Sequence, residues 1–400
     1  FDLVIVGNVM SRGMSIIEKL LESDIKYISG PQWLYENVLY KKKVIAISGT
    51  HGKTTTSSLV TWILKYAKLN PSYLIGGQPI NLNTPAKLTN SKFFIIEADE
   101  YDTSFFDKRS KYIHYHPNIL VINNIEFDHA DIFENIDSVI KNFHHLIRIV
   151  PKNGKIIYNH DDKNIRKLIQ KGVWSKEISM TSKNYGNANW SLSRKENNFF
   201  FSNIKTKSRN SKIIKSNLMG IHNYKNISLA ILASMQAGVS LSVCIDAIKH
   251  FKGVKRRMEK VKSKGVLEIY DDFAHHPTEI KEVLNGVRAA YKKEEVVCVF
   301  QPHRISRLKD LKKEFSLSFK KADTVILCPV YAAGEKIKLG FNYTSFAKDI
   351  IKNSKVKLFM INDQYELAKL IKNTIYGKKI VVGMGAGTIS AWMRELPSLI

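Results

Sequence analysis

The sequence predicts an α/β protein, two α/β domains behind a truncated third. Three observations predict it. At 400 residues the chain is too long for one compact core, so two or three domains are expected. Short buried-type apolar runs alternate with segments of helical period along most of its length. One of these runs, "KKKVIAIS", passes directly through a glycine-bearing turn into an amphipathic helix, the local order of an open, mostly parallel sheet.

Residues 1–40 are read as the truncated first domain, within which 1–30 read as strand ("FDLVIVGN"), helix ("SIIEKLLES") and strand ("IKYISG"), half of a βαβ unit. The chain starts without Met inside an apolar run, so it is read as a piece of a longer protein whose first glycine-rich turn precedes residue 1. Residues 41–253 form the second domain. It opens on "KKKVIAIS" and a helix from about Thr54, whose Leu59, Val60, Ile63, Leu64 and Ala67 share one face. Buried strands follow at "FFIIEADE" and "ILVINNI". A polar stretch from about 181 to 210 reads as a short antiparallel insertion, and "NISLAILASMQAG" as a helix with a glycine stop. In residues 254–400 the alternation restarts, with strands at "LEIYDDF", "EVVCVFQ", "DTVILCP", "KLFMI" and "KIVVGMG".

Composition excludes several classes. Apolar residues at 44% and aromatics at 10% describe a globular chain, not a disordered one. No apolar run approaches a bilayer-spanning length, and the N-terminus carries no basic leader or cleavage site, so no membrane association is expected. Three scattered cysteines in no metal-ligand spacing fit buried thiols in a reducing cytoplasm. The formal charge of +26 invites a nucleic-acid reading. The basic residues are dispersed, however, lysine far outnumbers arginine, and no nucleic-acid motif is present, so no nucleic-acid partner is expected. A basic nucleic-acid-binding ATPase remains the competing reading outside the ligases; salt-sensitive, DNA-stimulated hydrolysis would mark it.

The chemistry concentrates in "SGTHGKTTT". A standard phosphate loop places six residues across its two glycines, G-x-x-x-x-G-K-[ST]. Here Gly49, Thr50, His51, Gly52, Lys53 and Thr54, followed by Thr55, form a shortened version with Ile47 at the position of the usual first glycine. Glycines let backbone N–H groups turn inward, the helix start adds partial positive charge, and Lys53 supplies a full one. Thr54 offers a hydroxyl to a nucleotide-bound Mg²⁺. Two neighbouring strands end in acids: Glu97, Asp99 and Glu100 in "IIEADEYD", and Glu126, Asp128, His129 and Asp131 in "NNIEFDHADIF". In an open sheet, ligands gather at the carboxyl ends of strands, so the three motifs together point to ATP with one or two Mg²⁺.

"SGTHGKTTT", "EADEYD", "NNIEFDHAD", "GIHNYKN", "GVKRR" and "DDFAHHP" stand in the order found in the Mur ligases, the ATP-dependent amide-forming enzymes of peptidoglycan synthesis, which the chain resembles over essentially its whole length. That family uses the short loop. The resemblance implies a truncated N-terminal Rossmann-like UDP-binding domain, a central P-loop ATPase-like domain and a C-terminal Rossmann-like acceptor-binding domain. It implies that Lys53 contacts the β- and γ-phosphates, that Thr54 and Glu97 hold the nucleotide Mg²⁺, and that His129 holds a second. It also implies that His222, Asn223 and Asn226 meet the adenine, and that Arg257 and Asp272 close on the phosphates and ribose. The implied reaction activates a carboxylate as an acyl phosphate, which an amine then attacks. A base must leave that amine unprotonated, and His275 or His276 is the candidate; surface imidazoles at a helix entry are the equally weighted alternative.

Within the family the chain divides. Up to about residue 280, "EADEYDTSFFDKRSKYIHYHP", "FHHLIRIVP" and Phe273 resemble the recycling branch, which joins UDP-N-acetylmuramate to the tripeptide L-alanyl-γ-D-glutamyl-meso-diaminopimelate. From about residue 285, "VFQPHRISRLKDL", "VYAAGEK" and "VVGMGAGTISAW" resemble the branch that joins L-alanine to the same donor, where Arg304 and Arg307 match arginines around the amino-acid carboxylate. The donor expected is UDP-N-acetylmuramate. The acceptor is the tripeptide by a narrow margin, with L-alanine the alternative. Two other motifs are read as structural. Gly383, Gly385 and Gly387 lack the spacing of a dinucleotide fingerprint and let a helix pack closely on its strand, and the histidines of "YIHYHP" are not expected to bind metal.

Overall fold

Helix Lys53–Tyr66 begins where strand Lys43–Ser48 ends, and the strand's last five residues are buried. Valine and isoleucine dominate the strand because it is covered on both faces. The computed structural model of the protein describes residues 1–128, 132–183, 186–196, 198–204, 211–335, 341–374 and 377–400. The chain divides into two units: Phe1–Asn217 with Tyr224–Lys252, and Leu218–Asn223 with Gly253–Ile400.

In the first unit, a two-stranded parallel sheet pairs Val4–Val6 with Tyr27–Ser29. It stands apart from a ten-stranded sheet. The centre of the large sheet is parallel. Lys43–Ser48 lies between Phe93–Glu97 on one side and Ile119–Ile122 on the other. Ser72–Leu74 extends the first side, and Lys155–Asn159 the second. The strand order therefore reverses direction at Lys43–Ser48, the switch point at which open α/β sheets bind ligands. The expected antiparallel insertion is present: Trp190–Lys195 pairs antiparallel with Asn198–Asn203, which pairs antiparallel with Lys212–Ile214. One face of the sheet is sealed by Ala46, Ile96, Leu120 and Ile122 against Ile140, Phe143 and Ile147 of helix Ile136–Arg148. Each fully buried residue of this kind contributes roughly 1.5–3 kcal/mol through removal of apolar surface from water.

The second unit carries a six-stranded sheet. Five strands are parallel, in the order Leu267–Asp272, Lys379–Met384, Glu295–Phe300, Thr324–Leu327 and Lys357–Met360. Glu259–Lys264 adds an antiparallel edge beside Leu267–Asp272. All five strands read from the apolar runs are present. Gly383 has the packing role expected of it: a Cβ there would stand 2.1 Å from Cγ of Met393, on helix Ile389–Leu399. His114 Nε2 lies 2.9 Å from Asp107. No helix among the described residues is long and apolar enough to cross a membrane.

Candidate functional site

The short loop is closed from within by its own lysine. Lys53 Nζ donates to the carbonyls of Gly49 at 2.8 Å and Thr50 at 3.3 Å, and to Glu100 Oε2 at 2.9 Å. Asp99 lies 4.0 Å away. Burial opposes the charge on Lys53, but Glu100, Asp99 and Glu97 outweigh it and raise its pKa, so the ammonium is retained. Gly52 takes φ +82°, and a Cβ there would fall 2.6 Å from Asn226 Oδ1 and 2.8 Å from Asn123 Nδ2. Glycine is required on both counts, backbone and space.

Thr54 and Glu97 come together. The Thr54 hydroxyl donates to Glu97 Oε1 at 2.9 Å, while Glu97 Oε2 accepts the Gly76 N–H at 2.8 Å. The cause is sheet register: Ile47, just before the loop, is the direct partner of Glu97 on the neighbouring strand. One hydroxyl and one carboxylate beside a phosphate loop form a hard-oxygen donor set of the kind that suits Mg²⁺, which keeps waters and phosphate oxygens for its remaining positions. The residues present fit that ion. His129, expected to hold a second ion, and Asp131 of the same motif lie outside the described residues.

Two residues that sequence reasoning passed over hold the loop in place. Asn124 Oδ1 accepts the His51 N–H at 2.8 Å, and its amide donates to the His51 carbonyl at 3.1 Å. Asn123 Nδ2 lies 2.9 Å from Thr56 Oγ1 and 3.3 Å from Asn226 Oδ1. Thr50 is tied to the same strand end, its Oγ1 accepting the Glu126 N–H at 2.9 Å. Thr55 is buried on the opening turn of the helix. The signal was present in "NNIEFD", but two asparagines at a strand end do not declare their partners. Asn226 therefore belongs to the loop's surroundings in the first unit.

His222 and Asn223 belong to the second unit, where Asn223 donates to the Met219 carbonyl at 2.7 Å and His222 lies 3.9 Å from Glu282. There the segment after strand Leu267–Asp272 gathers most of the remaining candidates. Asp272 is buried and accepts N–H bonds from Met258 at 2.7 Å and Ala274 at 2.8 Å. Burial pushes its pKa up to about 6, against the opposing pull of Arg257 and the two N–H donors. Arg257 lies over the Phe273 ring at 5.0 Å and 3.8 Å from Glu279.

The two adjacent histidines separate. His275 Nδ1 lies 2.9 Å from the Phe273 carbonyl, so it carries the proton and Nε2 is the basic nitrogen. His276 Nδ1 accepts the Thr278 N–H at 3.3 Å and caps helix Pro277–Ala290, which places its own proton on Nε2. Nδ1 of His276 thus serves the helix cap. His275 retains the geometry.

Near His275 stands His303, which sequence reasoning also missed. The two rings are 5.7 Å apart, and His303 stacks on Tyr331 at 5.6 Å. Burial, then His275, Arg307 and Arg304, drive its pKa down to about 4, so it is neutral at neutral pH. Arg304 adopts φ +64°, a conformation uncommon for a residue with a Cβ, and its N–H donates to the Tyr331 carbonyl at 2.9 Å. Such local strain concentrates at ligand sites. Arg307 follows on the short helix Ile305–Asp310. The second unit thus brings together a basic imidazole, a neutral half-buried imidazole and two guanidinium groups. Such a set can hold a carboxylate and receive a proton from an amine.

The Mur ligase middle domain matches residues 47–234, and the Mur ligase glutamate ligase domain matches 256–387. A Pelagibacter ubique protein named UDP-N-acetylmuramate–L-alanine ligase is 48% identical, over 99% of this chain and 85% of its own length. An Escherichia coli protein named UDP-N-acetylmuramate–L-alanyl-γ-D-glutamyl-meso-2,6-diaminoheptandioate ligase is 39% identical, over 82% of this chain and 71% of its own. Among solved structures, a murein peptide ligase from Psychrobacter arcticus superposes with a TM-score of 0.70 at 31% identity, covering 100% of this chain and 85% of that one. The α/β fold, the short loop and both domain matches lead to one conclusion: the chain belongs to the Mur ligase family, whose members are ATP-dependent, ADP-forming amide ligases.

Proposed function

We propose that the protein joins the lactyl carboxylate of UDP-N-acetylmuramate to the amine of L-alanine in the cytoplasm, using ATP. The observation that carries the nucleotide part is the loop itself: a charged Lys53 anchored by Gly49, Thr50 and Glu100, one residue from the Thr54–Glu97 pair. In this reading Lys53 binds the β- and γ-phosphates and offsets the repulsion between the γ-phosphoryl group and the incoming carboxylate. Thr54 and Glu97 hold the Mg²⁺, whose positive charge lowers the cost of bringing two anions together. Asn226, His222 and Asn223 bind the adenine, and Arg257 and Asp272 the phosphates and ribose. His129 serves a second ion.

The carboxylate oxygen attacks the γ-phosphorus, ADP leaves, and an acyl phosphate forms. The amine nitrogen attacks the acyl carbon, the tetrahedral intermediate expels inorganic phosphate, and the amide remains. His275 Nε2 accepts the proton that the amine must lose, while Arg304 and Arg307 bind the acceptor's carboxylate.

L-alanine is preferred over the tripeptide, reversing the narrow preference drawn from sequence. The relative carrying the L-alanine name supports this reading by its 48% identity over 99% of the chain, a span that includes both portions of the divided resemblance. The tripeptide is the second reading, favoured by Phe273 and by the 39% identity to the Escherichia coli protein. Parallel assays of phosphate release with ATP, Mg²⁺ and UDP-N-acetylmuramate decide between them. Stimulation by L-alanine and not by the tripeptide is expected. Stimulation by the tripeptide alone overturns the acceptor assignment, and silence with both overturns the ligase reading.

A further inference from the structure

A cavity of about 530 Å³ opens in the first unit between helix Ile136–Arg148 and the segment around Lys108–Ile113, and nothing in the ligase reading uses it. Its volume lies within the range of small-molecule sites. The lining is mostly apolar, with Ile113 and Ile149 contributing, yet four basic residues border it: Lys108, Arg109, His145 and Arg148.

Their charges are unevenly balanced. Lys108 is paired with Asp102 at 2.6 Å, and Arg109 binds Asp107 through two nitrogens at 3.0 and 2.8 Å. Among the described residues no carboxylate pairs with His145 or Arg148; Arg148 makes only a cation–π contact, 6.0 Å from Trp174. Burial lowers the pKa of His145, and so do the neighbouring charges of Lys141 and Arg148, with no acid among the causes. Asn142 adds a polar group on the same wall. Its Oδ1 is occupied by Ser110 at 2.9 Å and by Tyr112, which leaves its amide N–H groups as donors.

An apolar hollow rimmed by basic groups, among them the Arg148 guanidinium without a carboxylate partner among the described residues, and by an amide donor matches one ligand chemistry. We propose that this cavity binds a small organic anion, a carboxylate, sulfonate or phosphate group carried on an apolar body, with Arg148 and Asn142 meeting the anionic group. The proposal does not depend on the ligase assignment.

Isothermal titration of the full chain with three probes tests it: 1-naphthoate, which has both features, 1-naphthalenemethanol, which has the apolar body alone, and acetate, which has the charge alone. One naphthoate is expected to bind per chain, at least about tenfold tighter than either partial probe. Arg148→Glu should weaken naphthoate at least about tenfold and Arg148→Lys much less, with unchanged melting curves, since Arg148 is exposed. His145→Glu, at a second exposed position, should weaken it as well. Equal affinity for naphthoate and the alcohol, no binding of naphthoate at millimolar concentration, or indifference to both glutamate substitutions overturns the proposal.

Discussion

Lys53 and Glu100 form a buried ion pair at 2.9 Å, Glu100 being 2% exposed, and that pair sets the charge of the phosphate loop. Breaking a buried pair by removing one partner leaves the other charge uncompensated, at a cost of about 3–5 kcal/mol. Lys53→Met and Glu100→Ala should each destabilise the protein by about 3 kcal/mol in urea titrations. Combining Lys53→Met with Glu100→Gln should recover part of the loss. Lys53→Met should also slow ADP formation at least about 100-fold, the scale expected for loss of a group that stabilises developing charge.

Gly52→Ala tests the loop's backbone. With φ at +82° and Asn226 Oδ1 2.6 Å from the added methyl, the substitution forces strain and a clash at once. A loss of about 1–3 kcal/mol is expected, together with loss of nucleotide binding. Fluorescence titration with a labelled ATP analogue reads the second effect. Unchanged affinity would mean that the loop binds nucleotide in another conformation.

Asn123→Ala removes the donor beside Thr56 and Asn226. Leaving these buried groups unsatisfied should cost about 1–3 kcal/mol. If Asn123 acts by holding the loop, the KM for ATP rises while the KM for the amine acceptor is unchanged. Equal changes in both would indicate general unfolding.

Asp272 gives a pH signature. Its pKa is about 6 in the fold against an ordinary value near 4, so the native state binds its proton more tightly than the unfolded chain does. Its contribution is fully present below about pH 4 and is lost as pH rises through about 6, on the order of 3 kcal/mol across that window. The difference in unfolding free energy between wild type and Asp272→Asn should therefore slope between pH 4 and 7 and flatten above it. A flat difference throughout contradicts the raised pKa.

Arg304→Ala and Arg307→Ala address the acceptor. A charge-assisted hydrogen bond is worth about 1.5–3 kcal/mol, so each should raise the KM for L-alanine roughly 10- to 100-fold and leave that for ATP unchanged. Full activity at the wild-type KM would move the acceptor site elsewhere.

What could be read before the structure was what is local. Gly52, Lys53 and Thr54 are adjacent in sequence and announce a phosphate loop by themselves. Strands Glu295–Phe300, Thr324–Leu327 and Lys379–Met384 of the second unit are nearly continuous apolar runs because both of their faces are covered. The Thr54–Glu97 contact was less legible, since it depends on the pairing of Ile47 with Glu97, fifty residues apart along the chain. Asn123 and Asn124 were hidden because an amide side chain shows its role only through its partners. His275 and His276 looked equivalent in "DDFAHHP"; the turn that begins helix Pro277–Ala290 makes one a cap and leaves the other a basic nitrogen. His303 drew no notice between a proline and an arginine, and only its stacking on Tyr331 and its proximity to His275 bring it into the site.

The path of a carboxylate oxygen tests the central claim most directly. UDP-N-acetylmuramate labelled with ¹⁸O in its lactyl carboxylate is turned over with ATP and L-alanine, and the released phosphate is analysed by mass spectrometry. An acyl-phosphate route predicts one labelled oxygen in each phosphate formed from fully labelled donor. Unlabelled phosphate, released in step with amide formation, would contradict it.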